Sequence, residues 1–140
     1  MLSQLVYTSR PSDGVTIRDA QEILDAARSF NPSKNITGLL VFRHNLFLQY
    51  LEGERRDLTD LFTKISADPR HKDVELIGSR PSETRLFPDW SMAFVALGAE
   101  NRAVMLRETG AEKIDTGELT MDEAVRLMRG LSGAELTSVG

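Results

Sequence analysis

Hydrophobic and polar residues alternate near the start of the chain, where residues 4–9 show the period of two that is typical of a strand. Apolar residues then recur every three or four positions over residues 17–30, which predicts an amphipathic helix with Thr16 as its N-cap. This helix is expected to end at Asn31-Pro32, because the residue before a proline avoids the helical conformation.

The following sixty residues predict a hairpin, a second helix and two further strands. Residues 38–42 and 46–52 form the hairpin around a turn at 43–45, and strands are predicted at 74–79 and 91–96. The second helix has an apolar stripe and ends at Asp68-Pro69; the stripe consists of Leu58, Leu61, Phe62 and Ile65. The order βαββαββ predicts an α+β fold, a ferredoxin-like sheet with two helices on one face.

The C-terminal part of the chain has a different character. Residues 120–123 form a capping box before an apolar stripe at helical spacing, after a weaker helical stretch at 101–108. We therefore divide the chain into a domain at 1–97 and a C-terminal helical extension at 98–140. The stripe serves either as a docking surface for a partner protein or as a cover for the open face of the sheet. Its members are Met121, Ala124, Val125, Met128 and Leu131.

Composition excludes several classes of function. The 140 residues carry a formal net charge of −4, which argues against a nucleic-acid binder that neutralises phosphates. The absence of cysteine excludes disulfides, thiol catalysis and cysteine metal sites, and two histidines are too few for a multi-histidine metal centre. No apolar run is long enough to cross a membrane and no signal peptide is evident, so we expect a cytoplasmic protein that does not associate with membranes.

Alternate residues of a strand point to the same face of a sheet, and this places several polar side chains on a face that is otherwise apolar. Gln49 shares a face with Phe47 and Leu51, Tyr7 shares one with Leu5, and Trp90 shares one with Met92. A buried amide needs hydrogen-bond partners. Taken singly, each of these residues is more often structural than functional. Together they predict a polar group of side chains in an apolar slot, which suits a planar polar ligand.

Five segments in a fixed order resemble the BLUF family of blue-light sensors, which use a flavin. They are residues 5–9, Asn31 with 36–39, residues 47–53, Ile65 with 68–71, and residues 85–87 leading into 90–92. The resemblance covers residues 1–97. It implies a non-covalently bound flavin, FAD or FMN, since the matching residues address the ring and not the rest of the cofactor.

The resemblance also implies a role for each photoactive residue. Tyr7 would be the electron donor to the excited flavin, and Gln49 would be the amide that switches between Tyr7 and the flavin edge. Either Trp90 or Met92 would lie beside Gln49.

The resemblance further implies which residues bind the cofactor. Asn31 would bind one edge of the flavin ring, and Ile23 and Ile65 would pack on its two faces. Lys64 and Asp68 would lie near its other carbonyl group. His71 falls in the same motif, where a hydrogen-bonding role in a turn is the simpler interpretation.

The output implied by the resemblance is a signal and not a chemical product. The chain would be no enzyme; it would signal to an unidentified partner protein through its last strand and C-terminal helices, and it would form a homo-oligomer, a dimer or larger. Two alternatives stay open at this point. One is a ferredoxin-like hydrolase that uses Asn31, Arg10 and His71. The other is an interaction module that does not respond to light, with Tyr7 and Gln49 as core residues.

Overall fold

Within the residues that it describes, the structure, a computed structural model, contains three α-helices and six strands. The described residues are 1–14, 17–43, 46–88, 92–96, 118–132 and 138–139. The elements are β1 (Leu2–Pro11), α1 (Ile17–Phe30), a 3-10 helix (Asn31–Lys34), β2 (Thr37–Arg43), β3 (Leu46–Glu54), α2 (Arg55–Ala67), β4 (His71–Pro81), β5 (Ala93–Ala96), α3 (Met121–Ser132) and β6 (Ser138–Val139).

The strands form one sheet in the order β4-β1-β3-β2-β5-β6. Neighbouring strands are antiparallel except for β2 and β5, which run parallel. This arrangement confirms the predicted α+β, ferredoxin-like sheet. Gly38 allows the close approach of β2 to β3, because a Cβ atom at this position would lie 2.0 Å from the carbonyl oxygen of Tyr50.

Several strand boundaries differ from the sequence-based prediction, and one strand was not predicted. β4 begins at His71 and not at residue 74, because a tight turn in which the His71 N–H donates to the Asp68 carbonyl (3.1 Å) starts the strand at once. β5 begins at Ala93. β6 was not predicted, since two residues are too few to show a period. The predictions for Thr16, for turn residues 44–45 and for the stretch 101–108 lie outside the described residues.

Helices α1 and α2 pack against one face of the sheet. Alternate residues of β1 and β3 point to this face, and Ile23, Ala27, Leu61 and Ile65 of the two helices pack against them. The buried cluster comprises Leu5, Tyr7, Leu24, Ile36, Leu40, Phe42, Phe47, Leu51, Leu58 and Met92. We call this the cleft face of the sheet.

Helix α3 covers the opposite face, which we call the covered face. The capping box is present, since the Glu123 N–H donates to Thr120 Oγ1 and the Thr120 N–H donates to Glu123 Oε1, each at 3.1 Å. The predicted stripe therefore packs on the sheet, as the second of the two expected roles requires. The buried cluster here includes Val6, Leu39, Val41, Leu48, Tyr50, Phe87, Ala93, Ala124, Val125, Leu127, Met128 and Leu131.

A buried carboxyl group lies near the end of β3, on the covered face of the sheet. Glu52 is 1% exposed. Its oxygens accept hydrogen bonds from the hydroxyl groups of Thr37 (2.9 Å) and Tyr50 (2.8 Å) and from the backbone N–H groups of Leu86 and Phe87 (2.8 Å each). Through these hydrogen bonds, Glu52 connects the loop after β4 to β2 and β3.

Candidate flavin-binding site

A chain of buried hydrogen bonds runs through the cleft face. Tyr7 on β1 lies opposite Gln49 on β3 in the strand register. The Tyr7 hydroxyl donates to Gln49 Oε1, and Gln49 Nε2 donates to the sulfur of Met92 at 3.4 Å. All three side chains are buried. Of the two residues that sequence reasoning offered as neighbours of Gln49, Met92 occupies this position; Trp90 lies outside the described residues.

The environment of Tyr7 keeps its phenol protonated. Burial raises the pKa of Tyr7 far above its ordinary value of 10.0, and the negative charge of Asp68 raises it further. Its ring contacts Phe62, with centroids 5.5 Å apart, and His71, with centroids 6.3 Å apart. At ordinary pH the hydroxyl group is therefore a hydrogen-bond donor to the amide.

A cleft of about 670 Å³, counting its solvent-open mouth, lies between α1 and α2 above this hydrogen-bond chain. The apolar part of its wall comes from both helices, and the polar part lies at its floor and rim. The lining residues are Ile23, Ala26, Ala27, Phe30, Asn31, Gln49, Leu61, Lys64, Ile65, Asp68, Arg70 and His71.

The polar rim is ordered by an ion pair. Arg70 donates to both carboxylate oxygens of Asp68, with 2.7 Å between Nη2 and Oδ2. These hydrogen bonds are the main reason why the pKa of Asp68 lies below its ordinary 3.8, so this side chain is a carboxylate near neutral pH. Across the mouth of the cleft, Lys64 Nζ lies 4.6 Å from the centroid of the Phe30 ring.

His71 belongs to the cleft as well as to a turn. Its Nδ1 is 2.8 Å from the hydroxyl oxygen of Ser9, and both residues are buried. Burial lowers the pKa of His71, so the imidazole is neutral near pH 7. Neither His71 nor Arg70 was among the predicted binding residues, although both belong to the motif at residues 68–71.

The structure brings the predicted binding residues together. All six of the following line the cleft: Ile23, Asn31, Gln49, Lys64, Ile65 and Asp68. Tyr7 lies behind Gln49. The hydrolase alternative is not supported, because Arg10 is on the surface, 56% exposed and paired with Asp73 at 3.9 Å, while Asn31 and His71 line the cleft.

Residues 2–93 match the family model described as sensors of blue-light using FAD. The chain belongs to the BLUF family. A photoactivated adenylate cyclase subunit beta of Euglena longa is 34% identical over 92 residues, which are 65% of this chain and 11% of that protein. The blue light- and temperature-regulated antirepressor BluF of Escherichia coli K12 is 26% identical over 123 residues, or 88% of this chain and 30% of that protein.

Solved BLUF structures have the same fold over nearly the whole chain. The photo-activated state of BlsA superposes with a TM-score of 0.88 at 28% identity, covering 99% of this chain and 100% of that one. The dark state of BlrB gives 0.78 at 31% identity, covering 96% and 97%. The predicted BLUF membership and fold class are thus confirmed.

Membership also fixes the general class of function. BLUF proteins are sensors of blue light that use flavin, so the prediction of a blue-light sensor is confirmed for residues 2–93. The chain spans about a tenth of the length of the cyclase subunits that it matches. Among the helices that the structure describes, none has the length and apolar character needed to cross a membrane.

The residues of the cleft fit a flavin ring. Apolar side chains come from two helices, Ile23 from α1 and Ile65 from α2, as a planar ring between the helices requires. The amide groups of Asn31 and Gln49 combine donors and acceptors, which suits the alternating nitrogen and carbonyl groups along the polar edge of a flavin. Both amide side chains are buried, at 0% and 3% exposure, so hydrogen bonds that they make to a ligand are shielded from water.

Proposed function

We propose that this chain is a blue-light photoreceptor in which Tyr7, Gln49 and Met92 form the light-driven switch. The observation that carries the proposal is the continuous chain of hydrogen bonds from the Tyr7 hydroxyl through the Gln49 amide to the Met92 sulfur. A bound flavin supplies the absorption of blue light and, once excited, a ring that takes up an electron. Tyr7 is the residue that gives up an electron and a proton and takes both back.

Six residues are proposed to hold the flavin. Ile23 and Ile65 pack on the two faces of the ring, Asn31 and Gln49 bind its polar edge, and Lys64 and Asp68 lie near its second carbonyl group. Support comes from their shared position in the cleft wall. Asp68 differs from the others in that Arg70 already engages its carboxylate, so we propose that it acts together with Arg70.

The amide of Gln49 has a defined orientation because its two ends meet different partners. The carbonyl end accepts from Tyr7, and the NH2 end donates to the Met92 thioether. A thioether accepts weakly and cannot donate. A simple rotation of the amide would therefore place its oxygen against a sulfur that has no proton to offer. Reorientation of Gln49 is thus coupled to movement of Met92, or to tautomerisation of the amide.

The finer identity of the cofactor is proposed to be FAD, with FMN as the alternative. The family description names FAD. The cleft residues address the ring, so they bind either form. Mass spectrometry of the flavin released by mild denaturation distinguishes the two.

The signal is proposed to leave through β5 and the C-terminal helices to a partner protein. Met92 immediately precedes β5, and α3 packs on the covered face of the same sheet. An antirepressor among the relatives is consistent with protein partners. We propose that residues 1–97 form the flavin-binding unit, that 98–140 form the extension that carries the signal, and that the protein forms a dimer or larger homo-oligomer.

An absorption spectrum before and after illumination tests the proposed function. The purified protein is expected to be yellow with the bands of oxidised flavin, and blue light should give a small, reversible red shift. The flavin should leave on denaturation, since the sequence has no cysteine for a thiol adduct. A colourless protein after flavin supplementation, or lasting bleaching without a red shift, would contradict the proposal.

A further inference from the structure

The backbone of Met92 is held by a side chain of α1. Nε of Arg28 donates a hydrogen bond to the carbonyl oxygen of Met92 at 3.0 Å. Arg28 is half-buried in the last turn of α1, the helix that also supplies Ile23 to the cleft. Met92 is the residue whose sulfur accepts from Gln49. The Arg28 bond therefore connects one wall of the cleft to the segment that the switching amide contacts.

Arg28 donates this hydrogen bond to a residue that is far from it in the sequence. A basic side chain in the last turn of a helix ordinarily interacts with the free carbonyl groups of that same helix. Here the Nε–H group binds a carbonyl 64 residues away in the chain. Because Nε lies within a rigid, planar guanidinium, the bond fixes direction as well as distance. Withdrawal of the Met92 backbone from α1 would break this hydrogen bond.

The side chain of Met92 requires such an anchor. Methionine is unbranched and has three rotatable bonds, so it fills space without a strongly preferred position. Its contact with Gln49 is a weak hydrogen bond with 3.4 Å between Nε2 and the sulfur. A weak acceptor on a flexible side chain stays in place only when its backbone is fixed. The pairing of Ala93 with Leu39 fixes the residue after Met92, and Arg28 fixes the Met92 carbonyl itself.

We propose that Arg28 is a positioning residue that holds Met92 against Gln49 and thereby determines how readily the amide reorients. This inference rests on the proposed function of Gln49 as the light-driven switch. Arg28 acts through Met92: without the bond, the Met92 segment can withdraw and the amide loses the acceptor that fixes its orientation.

The first test locates Met92 in the dark and needs no photochemistry. In flavin-loaded protein with 13C-methyl-labelled methionine, Arg28→Gln is expected to shift and broaden the Met92 methyl resonance, while those of Met121 and Met128 on α3 stay in place. The exposed Arg18 of the same helix offers a matched control, Arg18→Gln, which should leave all three unchanged. A Met92 resonance that is equally unaffected by both substitutions overturns the proposal.

The second test is a double-mutant cycle on the thermal recovery rate after illumination. Arg28→Gln is expected to change this rate by about threefold or more in the parent protein and by less than about 1.5-fold in a Met92→Leu background, because leucine keeps the volume but accepts no hydrogen bond. Equal changes in the two backgrounds overturn the proposal, since Arg28 would then act by another route.

A third variant separates geometry from charge. Arg28→Lys keeps the positive charge but lacks the planar Nε donor, so it should behave as Arg28→Gln does in both tests. Parental behaviour of Arg28→Lys would show that the fixed direction of the guanidinium donor is not needed and would overturn the proposal. Absence of any light-induced red shift in the parent would contradict the proposed function instead, and the dark resonance of Met92 would still decide the role of Arg28.

Discussion

The two faces of the central sheet use the same strands for opposite purposes. On the cleft face, Tyr7 and Gln49 form a short chain of hydrogen bonds beneath an open cleft. On the covered face, Glu52 receives four hydrogen bonds and α3 excludes water. An amide with one donor end and one acceptor end can exchange partners, whereas a carboxyl group saturated by four donors cannot. The amide of Gln49, which can change partners, therefore lies on strands whose other face is held in place by Glu52 and α3.

Glu52→Gln should cause the largest loss of stability. The substitution keeps the shape of the side chain but turns an NH2 group toward donors that surround the carboxyl group, so buried N–H and O–H groups lose their acceptor. We expect the free energy of unfolding to fall by about 2–4 kcal/mol. Urea unfolding of the flavin-loaded protein measures it, with Glu75→Gln on the exposed side of β4 as the control. Equal stability of the two variants would show that the covered face is not the rigid one.

Val125→Glu should have the next largest effect. Val125 is 5% exposed in the cluster between α3 and the sheet, so a carboxylate there either loses its hydration or undocks the helix. We expect a loss of about 1–3 kcal/mol and a change in solubility or oligomeric state. Unfolding curves and size-exclusion profiles test this, with Arg126→Glu on the exposed side of α3 as the matched control. If Val125→Glu has the stability and elution volume of the parent protein, α3 does not cover this face of the sheet.

Tyr7→Phe and Gln49→Leu should affect function far more than stability. Each removes a polar group and approximately keeps the volume, so we expect a change in the free energy of unfolding of about 1 kcal/mol and retention of flavin. The red-shifted state should be lost in both. Difference spectra and unfolding curves recorded on the same samples separate the two effects. Normal photocycling by both variants would show that the switch lies elsewhere.

The smallest effect concerns pH and the cleft face. Burial lowers the pKa of His71 from its ordinary 6.5, so the unfolded chain binds a proton at a higher pH than the folded chain does. Stability should therefore decrease as the pH falls from about 6.5 toward the lower folded pKa. Asp68, with a pKa below its ordinary 3.8, adds a second loss only in more acidic solution.

His71→Gln isolates the contribution of the imidazole. We expect this substitution to flatten the dependence of unfolding free energy on pH between 7 and 5, as measured by urea unfolding at several pH values. A parental slope in His71→Gln would mean that another group titrates in this range.

Local patterns were sufficient to predict most of the fold. The period-two and helical stripes located β1, β3, α1, α2 and α3, and the capping box at Thr120 located the start of the last helix to within one residue. Strand parity indicated Gln49, whereas Lys64 and Asp68 were predicted only from the family resemblance, since no pattern marks them as binding residues. β6 was not predicted, because its two residues are recognised as a strand only through their pairing with β5.

The polar contacts were harder to anticipate, because they join residues far apart in sequence. Strand alternation places Glu52 on the face opposite Gln49, but two of the donors to Glu52 are backbone groups 34 and 35 residues later. The bond from Arg28 to Met92 spans 64 residues. In each case the side chain is visible in the sequence and its partner is a backbone atom, which carries no sequence signature.

The register of β1 and β3 also restricts how this chain can change in length during evolution. Tyr7 pairs with Gln49 and Val6 pairs with Tyr50, so the two functions of the sheet are separated by a single residue. Because successive side chains alternate between faces, one residue inserted into β3 before Gln49 would turn Gln49 toward α3 and Tyr50 toward the cleft, and one inserted into β1 before Tyr7 would turn Tyr7 away from the cleft. Insertions and deletions that preserve the sensor are thus expected in the connecting loops, in pairs within a strand, or at a β-bulge, such as the register shifts between β1 and β4.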